Sequence, residues 1–346
     1  MNIQELLTQA IERKASDLHI SDHIPPRIRI DGELVSLNVP AAAKRTVIEL
    51  LTPVMTKEHL EEFKNKWEVD CSVMLPDIGH FRVNVYQQNF GVSAALRVIP
   101  PRTFSLDELG LPPVIKEIAE LPNGLVLVTG PTGCGKSTTL AAIIQHINKR
   151  LCKHIITIED PIEYVHESLS CLIHQREVNR DTKSFSAALR SALREDPDII
   201  LVGELRDLET VQLALTAAET GHLVFGTLHT SSAPKTIDRI IDIFPAGGER
   251  NLIQNILSES LQAVISQKLL KRVGGGRVSA IELMRCTPAI RSLIRDDKVS
   301  QVYSAIQTGA SLGMQTMDQH LKKLVADKIV APETAREVAN NKDFFV

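Results

Sequence analysis

GLVLVTGPTGCGKSTTLAAIIQHINKR, residues 124–150, decides the fold. Its first part, GLVLVTG (124–130), is a short unbroken apolar run, the pattern of a strand buried on both faces. From Lys136 to Arg150 there is neither proline nor glycine, which suits a helix. Between them GPTGCGKST (130–138) matches GxxxxGK[ST] in the strand–loop–helix setting that motif requires. Gly130, Gly133 and Gly135 free the backbone to turn its N–H groups inward, and the helix N-terminus behind them adds partial positive charge. Lys136 supplies a point charge for outer phosphates, and Ser137 offers a hydroxyl to Mg2+. Pro131, Thr132, Cys134 and Thr138 complete a loop expected to cradle the phosphates of a nucleotide. A glycine-rich turn that merely joins strand to helix is the bland alternative, and motif and context together disfavour it.

Downstream, HIITIED (154–160), DIILVGE (198–204) and HLVFGTLH (222–229) are runs of the same kind, separated by helical stretches at 136–150, 184–194 and 209–220. Alternating strands and helices imply a mostly parallel sheet with helices on both faces. In such a sheet the carboxyl ends of the strands line the ligand crevice. Glu159, Asp160 and Glu163, in IEDPIE, and Glu204 sit at those ends. Of Glu163 and Glu204, one would complete the Mg2+ shell and the other orient the attacking water; spacing does not say which. Turn capping and pairing with Arg176, Arg206 or Lys153 is the competing reading, and it fits Glu159 and Asp160 ahead of Pro161. His229 ends another strand, either as a satisfied structural histidine or as a contact to the γ-phosphate. Residues 250–346 read as mainly helical, with Thr287-Pro288 starting one helix.

Upstream, Ile3, Leu6, Leu7, Ala10 and Ile11 share a helical face. DLHI (17–20) and RIRIDGELV (27–35) read as strands, the second folded as a hairpin at Asp31-Gly32. Residues 41–65 look helical with a break near Pro53. DCSVML (70–75), HFRVNVY (80–86) and VSAALRV (92–98) complete an α+β domain over 1–99 with an antiparallel sheet. IPPRTFSLDELGLPP (99–113), with prolines at 100, 101, 112 and 113, reads as a semi-rigid linker over 100–113. The strand–helix domain then occupies 114–346, its helical portion from about 250.

Arg82 and Arg97 alternate with apolar residues and so point away from the core; Arg102 opens the linker. On residues alone, a solvated face is slightly the better reading. The alternative is that they reach a phosphate held by a neighbouring subunit, a service worth about 10³–10⁵-fold in rate, or roughly 4–7 kcal/mol.

Composition bounds the rest. At 346 residues two domains are expected, and a net charge of −3 argues against binding nucleic acid through bulk positive charge. No apolar run reaches the ~18 residues of a membrane span. MNIQELLTQAIERK carries acids and lacks signal-peptide features, so a cytoplasmic protein is expected. The five cysteines, odd in number and without CxxC, read as reduced thiols. His222 and His229 are poorly spaced for a shared metal.

GPTGCGKST, ITIEDPIEYVH (156–166), DPDIILVGELRD (196–207) and TAAETGHLVFGTLHT (216–230) resemble the Walker A, Asp box, Walker B and His box of the type II/IV secretion ATPases. SDLHIS (16–21) and FRVN (81–84) resemble that family's PAS-like N-terminal domain. AIRSLIRD (289–296), AIQTG (305–309) and GMQTMDQHL (313–321) are similar to the branch that retracts type IV pili. The resemblance implies an α/β protein: a RecA-like P-loop NTPase core, a small N-terminal α+β domain and a helical C-terminal region. It also implies a homohexameric ATPase at the cytoplasmic face of the bacterial inner membrane. ATP and Mg2+ would lie between the N-terminal domain of one subunit and the ATPase domain of the next. Such a motor drives pilus retraction and twitching motility through an inner-membrane platform protein, beside an accessory retraction ATPase.

The resemblance makes Glu163 the general base, Glu204 the support of the metal and His229 the phosphate sensor, with His222 its more structural companion. It makes Arg82, Arg97 and Arg102 arginines that reach the nucleotide. Cys134 departs from the small serine or threonine expected in the loop; its backbone N–H, not its side chain, would serve phosphate, so little consequence is expected, although a thiol beside a cationic loop can be unusually reactive. An assembly or secretion ATPase is the first alternative, though the four-cysteine zinc insertion typical of those proteins does not occur. The accessory motor and a non-hydrolysing nucleotide-binding scaffold are the others; a nucleic-acid translocase is disfavoured by charge.

Overall fold

The computed structural model describes residues 2–30, 33–37, 46–99, 103–245 and 247–345. The chain divides into two units, Met1–Arg102 with Pro161–Val165, and Thr103–Asp160 with His166–Val346.

Strand alternation writes the smaller unit. Helix α1 (Ile3–Glu12) is closed by an Asn2–Glu5 capping box and buries Ile3, Leu6, Leu7 and Ala10. Strands β1 (Asp17–Ser21), β2 (Ile24–Ile30) and β3 (Glu33–Ser36) follow, then α2 (Val47–Leu51), α3 (Lys57–Lys66), β4 (Glu68–Leu75), β5 (Gly79–Gln88) and β6 (Gly91–Ile99). They form an antiparallel sheet in the order β3-β2-β1-β6-β5-β4. Phe81, Val83 and Val85 are fully buried and pack in one core with α1, Leu96 and Leu18. Arg82 and Arg97 are direct cross-strand neighbours on the opposite face. The turn residues Asp31-Gly32, the first five residues of the 41–65 helical reading, and Arg102 lie outside the described residues.

In the larger unit, buried runs make parallel strands. Its elements are α4 (Val114–Ala119), β7 (Gly124–Thr129), α5 (Lys136–Arg150), β8 (His154–Glu159), β9 (Leu172–Glu177), α6 (Phe185–Ala192), β10 (Ile199–Val202), α7 (Leu208–Glu219), β11 (Leu223–Leu228), α8 (Ala233–Asp242) and α9 (Gly248–Ser260). Then come β12 (Leu261–Lys271), β13 (Arg277–Arg285), α10 (Pro288–Arg295), α11 (Val302–Thr308), α12 (Met317–Ala326) and α13 (Pro332–Val338). The sheet order is β13-β12-β7-β11-β10-β8-β9, parallel throughout except for the antiparallel edge strand β13. Alternate residues of β7 serve opposite cores. Leu125 and Leu127 pack with α6 to α11, while Val126 and Val128 pack with α4 and α5. Leu106 and Leu111, inside the proline-flanked segment, are buried in the second of these cores.

The 250–346 region departs from its reading. It is helical from Pro288 onward, yet β12 and β13 add two long strands beforehand. LQAVISQKLLK carries leucines and lysines at spacings a helix also tolerates. It is held extended because β7 offers it a parallel partner and Gly274, Gly275 and Gly276, all at positive φ, turn it back as a hairpin. Strand β9 also went unread, its LIHQRE sequence being that of a polar sheet edge. No helix among the described residues is long and apolar enough to cross a membrane.

Candidate active site

Because β7, β8, β10 and β11 run parallel and in register, their carboxyl ends fall along one edge of the sheet. The motif loop leaves β7 there. Gly130, Gly133 and Gly135 all take positive φ, at 142°, 78° and 92°. Gly135 is the N-cap of α5 and brings no side chain to its first turn, which also holds no acid. The leading N–H groups of a fifteen-residue helix therefore keep their affinity for an anion. Lys136 Nζ donates to the Gly130 carbonyl at 2.9 Å and to that of Pro131 at 3.2 Å, curled over its own loop. Ser137 and Thr138 follow in the first turn of α5.

Burial raises the Cys134 thiol above its usual range, with Lys136 opposing only in part. Cys134 is almost wholly buried. Burial argues against unusual reactivity, since the inaccessible thiol is the less nucleophilic form. All five cysteines are free.

Glu204 and His229 leave neighbouring strands and meet: His229 Nε2 is 3.2 Å from Glu204 Oε1. The other oxygen of Glu204 pairs with Arg206 at 2.8 Å, and Arg206 reaches Asp160 at 3.6 Å. The pairing reading thus holds for Asp160 and extends to Glu204. Glu159 accepts from the Thr157 hydroxyl at 2.7 Å and the Gln175 amide at 3.1 Å. Lys153 pairs with Asp198 and Arg176 with Glu195 instead. His222 stands at the other end of β11 from His229, with Nδ1 3.0 Å from the Ala217 carbonyl at the close of α7.

Other residues singled out in the sequence fall in the smaller unit. Glu163 lies in Pro161–Val165, the segment grouped with that unit. Arg82 is held by Asp70 through Nε at 3.2 Å and Nη2 at 2.6 Å, and Arg97 Nε by Asp17 at 3.0 Å. Sequence reasoning missed a set of buried polar residues behind the loop. The Thr129 and Ser266 hydroxyls meet at 2.7 Å, and Gln267 bonds both Cys134 and Thr139. The signal available was Ser266-Gln267, two polar residues inside an apolar run. Glu282 of β13, also unread, accepts the Ala233 N–H at 2.8 Å and so fixes the start of α8, four residues past His229.

A Mg2+ ion suits this donor set. Ser137 and Glu204 supply hard oxygens, and a magnesium ion shared with phosphates and waters needs only one or two protein ligands. Among the described residues no group of three or more His, Cys, Asp or Glu forms a cage for a metal.

Residues 1–277 match the family model for type II/IV secretion system proteins. The chain is 57% identical to the type IV pilus retraction ATPase PilT of Pseudomonas aeruginosa over 345 residues, covering 100% of each chain. It is 52% identical to a twitching motility protein of Neisseria gonorrhoeae, over 98% of this chain and 90% of that one. Among solved structures it superposes on the pilus retraction motor PilT with bound ADP at a TM-score of 0.93 and 48% identity, covering 99% of this chain and 98% of the other.

Proposed function

The chain belongs to the type II/IV secretion system protein family and is an ATPase of type IV pilus retraction, and from that premise we propose how its residues divide the work. The loop 130–138 binds the triphosphate: N–H groups of the loop and of the α5 first turn hold the phosphate oxygens, and Lys136 leaves its two carbonyls for the outer phosphates. Ser137 and, through water, Glu204 would hold Mg2+, which when bound would neutralise phosphate charge. Glu163 accepts a proton from the water whose oxygen attacks the γ-phosphorus, while the bond from that phosphorus to the β–γ bridging oxygen breaks. His229, oriented by Glu204, reports on the γ-phosphate.

Arg82, Arg97 and Arg102 serve the nucleotide of a neighbouring subunit in a homohexamer. Their carboxylate partners do not oppose this. An exposed ion pair is worth about 0.2–1 kcal/mol, whereas an arginine contributed to a phosphoryl-transfer transition state is worth roughly 4–7 kcal/mol. Giving up these pairs therefore costs little beside what the transition state would gain. The ring works at the cytoplasmic face of the inner membrane, on a platform protein, with an accessory retraction ATPase as a further partner.

The observation that carries this reading is the uncapped first turn of α5 behind three positive-φ glycines, with Lys136 poised at 2.9 Å over the loop. Mixing Lys136→Ala with Arg97→Ala chains tests the shared site. Each is expected to be inactive alone, and the mixture to recover part of the phosphate release. Full activity of Arg97→Ala by itself would remove the shared site. In cells, deletion should leave many surface pili without movement; loss of pili would indicate an assembly motor instead.

A further inference from the structure

We propose that Gln267 is a positioning residue for the phosphate loop, acting through the peptide between Cys134 and Gly135. Gln267 lies on β12, one residue beyond the Ser266–Thr129 register pair, and so stands directly behind the point where the loop leaves β7. It is 1% exposed. Its Nε2 donates to the Cys134 carbonyl at 2.8 Å, and its Oε1 accepts from the Thr139 hydroxyl at 3.0 Å. The orientation of the amide follows from its partners. A backbone carbonyl only accepts, so the NH2 end must face Cys134 and the oxygen must face Thr139.

This anchor has a directional consequence. The peptide bond is planar and trans, so the carbonyl of Cys134 and the N–H of Gly135 point to opposite sides. Tying the carbonyl back to β12 turns the Gly135 N–H away from β12 and toward the open side of the loop, where a phosphate oxygen is to be held. The second bond, to Thr139 in the first turns of α5, fixes the same amide to the helix whose N-terminus faces that phosphate. Close packing preserves the arrangement. A Cβ at Gly130 would lie 2.3 Å from the Gln267 backbone carbonyl oxygen, and one at Gly135 would lie 3.3 Å from Gln267 Nε2.

The inference rests on the reading of 130–138 as the phosphate site. Its signature is uniform nucleotide binding rather than chemistry, because Gln267 sets a donor that grips the nucleotide before, during and after transfer. Steady-state ATPase kinetics of Gln267→Met in the full chain, with ADP binding measured by calorimetry, tests it. The isosteric methionine removes both hydrogen bonds while keeping volume. KM for ATP and Kd for ADP are expected to rise about tenfold, with kcat within about twofold of wild type. A merely structural role would cut the active fraction and thus kcat, leaving KM where it was; unchanged KM and Kd overturn the proposal. Should Gln267→Met fail to fold, Thr139→Val decides. It frees only one end of the amide, so a two- to three-fold rise in KM is expected and no rise refutes. Lys136→Ala, run alongside, separates the premises. If it binds and turns over ATP normally, the phosphate-site reading falls; if it is dead while Gln267→Met keeps its KM, only the positioning role falls.

Discussion

Behind the phosphate loop, the polar side chains that touch one another are all but sealed from water: Thr129 is 0% exposed, Ser266 and Gln267 are 1% and Thr139 is 2%. On the arginine face, Arg82 and Arg97 keep 34% and 68% of their side chains exposed while pairing with Asp70 and Asp17. The contacts are similar in length but not in consequence. Removing one partner of a buried hydrogen bond costs about 1–3 kcal/mol; breaking an exposed ion pair costs about 0.2–1 kcal/mol. One region is set before any ligand arrives, and the other exchanges partners cheaply. The proposed division of labour, with nucleotide gripped by one subunit and arginines offered by the next, would use both.

The largest effect expected on this contrast is kinetic. Arg82→Ala should lower phosphate release by roughly 10³-fold with little change in the urea midpoint; a variant that keeps near-normal turnover would make the arginine face ordinary surface. Next comes Gly130→Ala. The added Cβ would meet the Gln267 carbonyl at 2.3 Å and Cys134 Sγ at 2.7 Å, at a φ of +142°. A loss of about 2–4 kcal/mol in urea unfolding is expected, and a small loss would show the buried side to be softer than described.

Acid extends the comparison within the larger unit. His320 is 7% exposed, its Nδ1 accepts the Ile281 N–H at 2.9 Å, and burial lowers its pKa to about 4. The ring stays neutral in the fold but takes up a proton in the unfolded chain below its ordinary value of 6.5. The unfolded state therefore binds more protons between pH 6.5 and about 4. Stability is fully present above that window and falls as pH drops through it, by about 1–3 kcal/mol. Urea midpoints across the window, with the His320 ring resonances followed by NMR, check the sign; a flat profile with the ring titrating near its ordinary value would contradict it. The smallest change should come from Asp70→Asn, under about 1 kcal/mol, because both partners of that ion pair remain partly exposed. A loss as large as that for Gly130→Ala would erase the distinction.

The two regions also differed in how far they could be read. The loop's chemistry is local: nine consecutive residues, flanked by an apolar run and a glycine-free stretch, specify it. The outward aim of Arg82 and Arg97 follows from strand period alone, and their neighbours Phe81, Val83 and Val85 are indeed buried. The support behind the loop is non-local. Gln267 stands more than a hundred residues from Cys134, on a strand whose sequence reads equally well as helix, and only pairing with β7 makes it extended. Glu282 is hidden for the same reason, since its partner at Ala233 lies across the fold. Asp17 and Asp70, the partners of the two arginines, were unread because cross-strand register is set by the whole sheet.

Lys136 has a seat on its own loop, on the carbonyls of Gly130 and Pro131. A half-buried cation beside departing product would otherwise be left without a counterpart, and that penalty would hold spent nucleotide in place. In the proposed cycle the ammonium would swap one set of oxygens for another as nucleotide binds and leaves. Capture and discharge would then differ less in cost, which is what repeated cycling against a load demands.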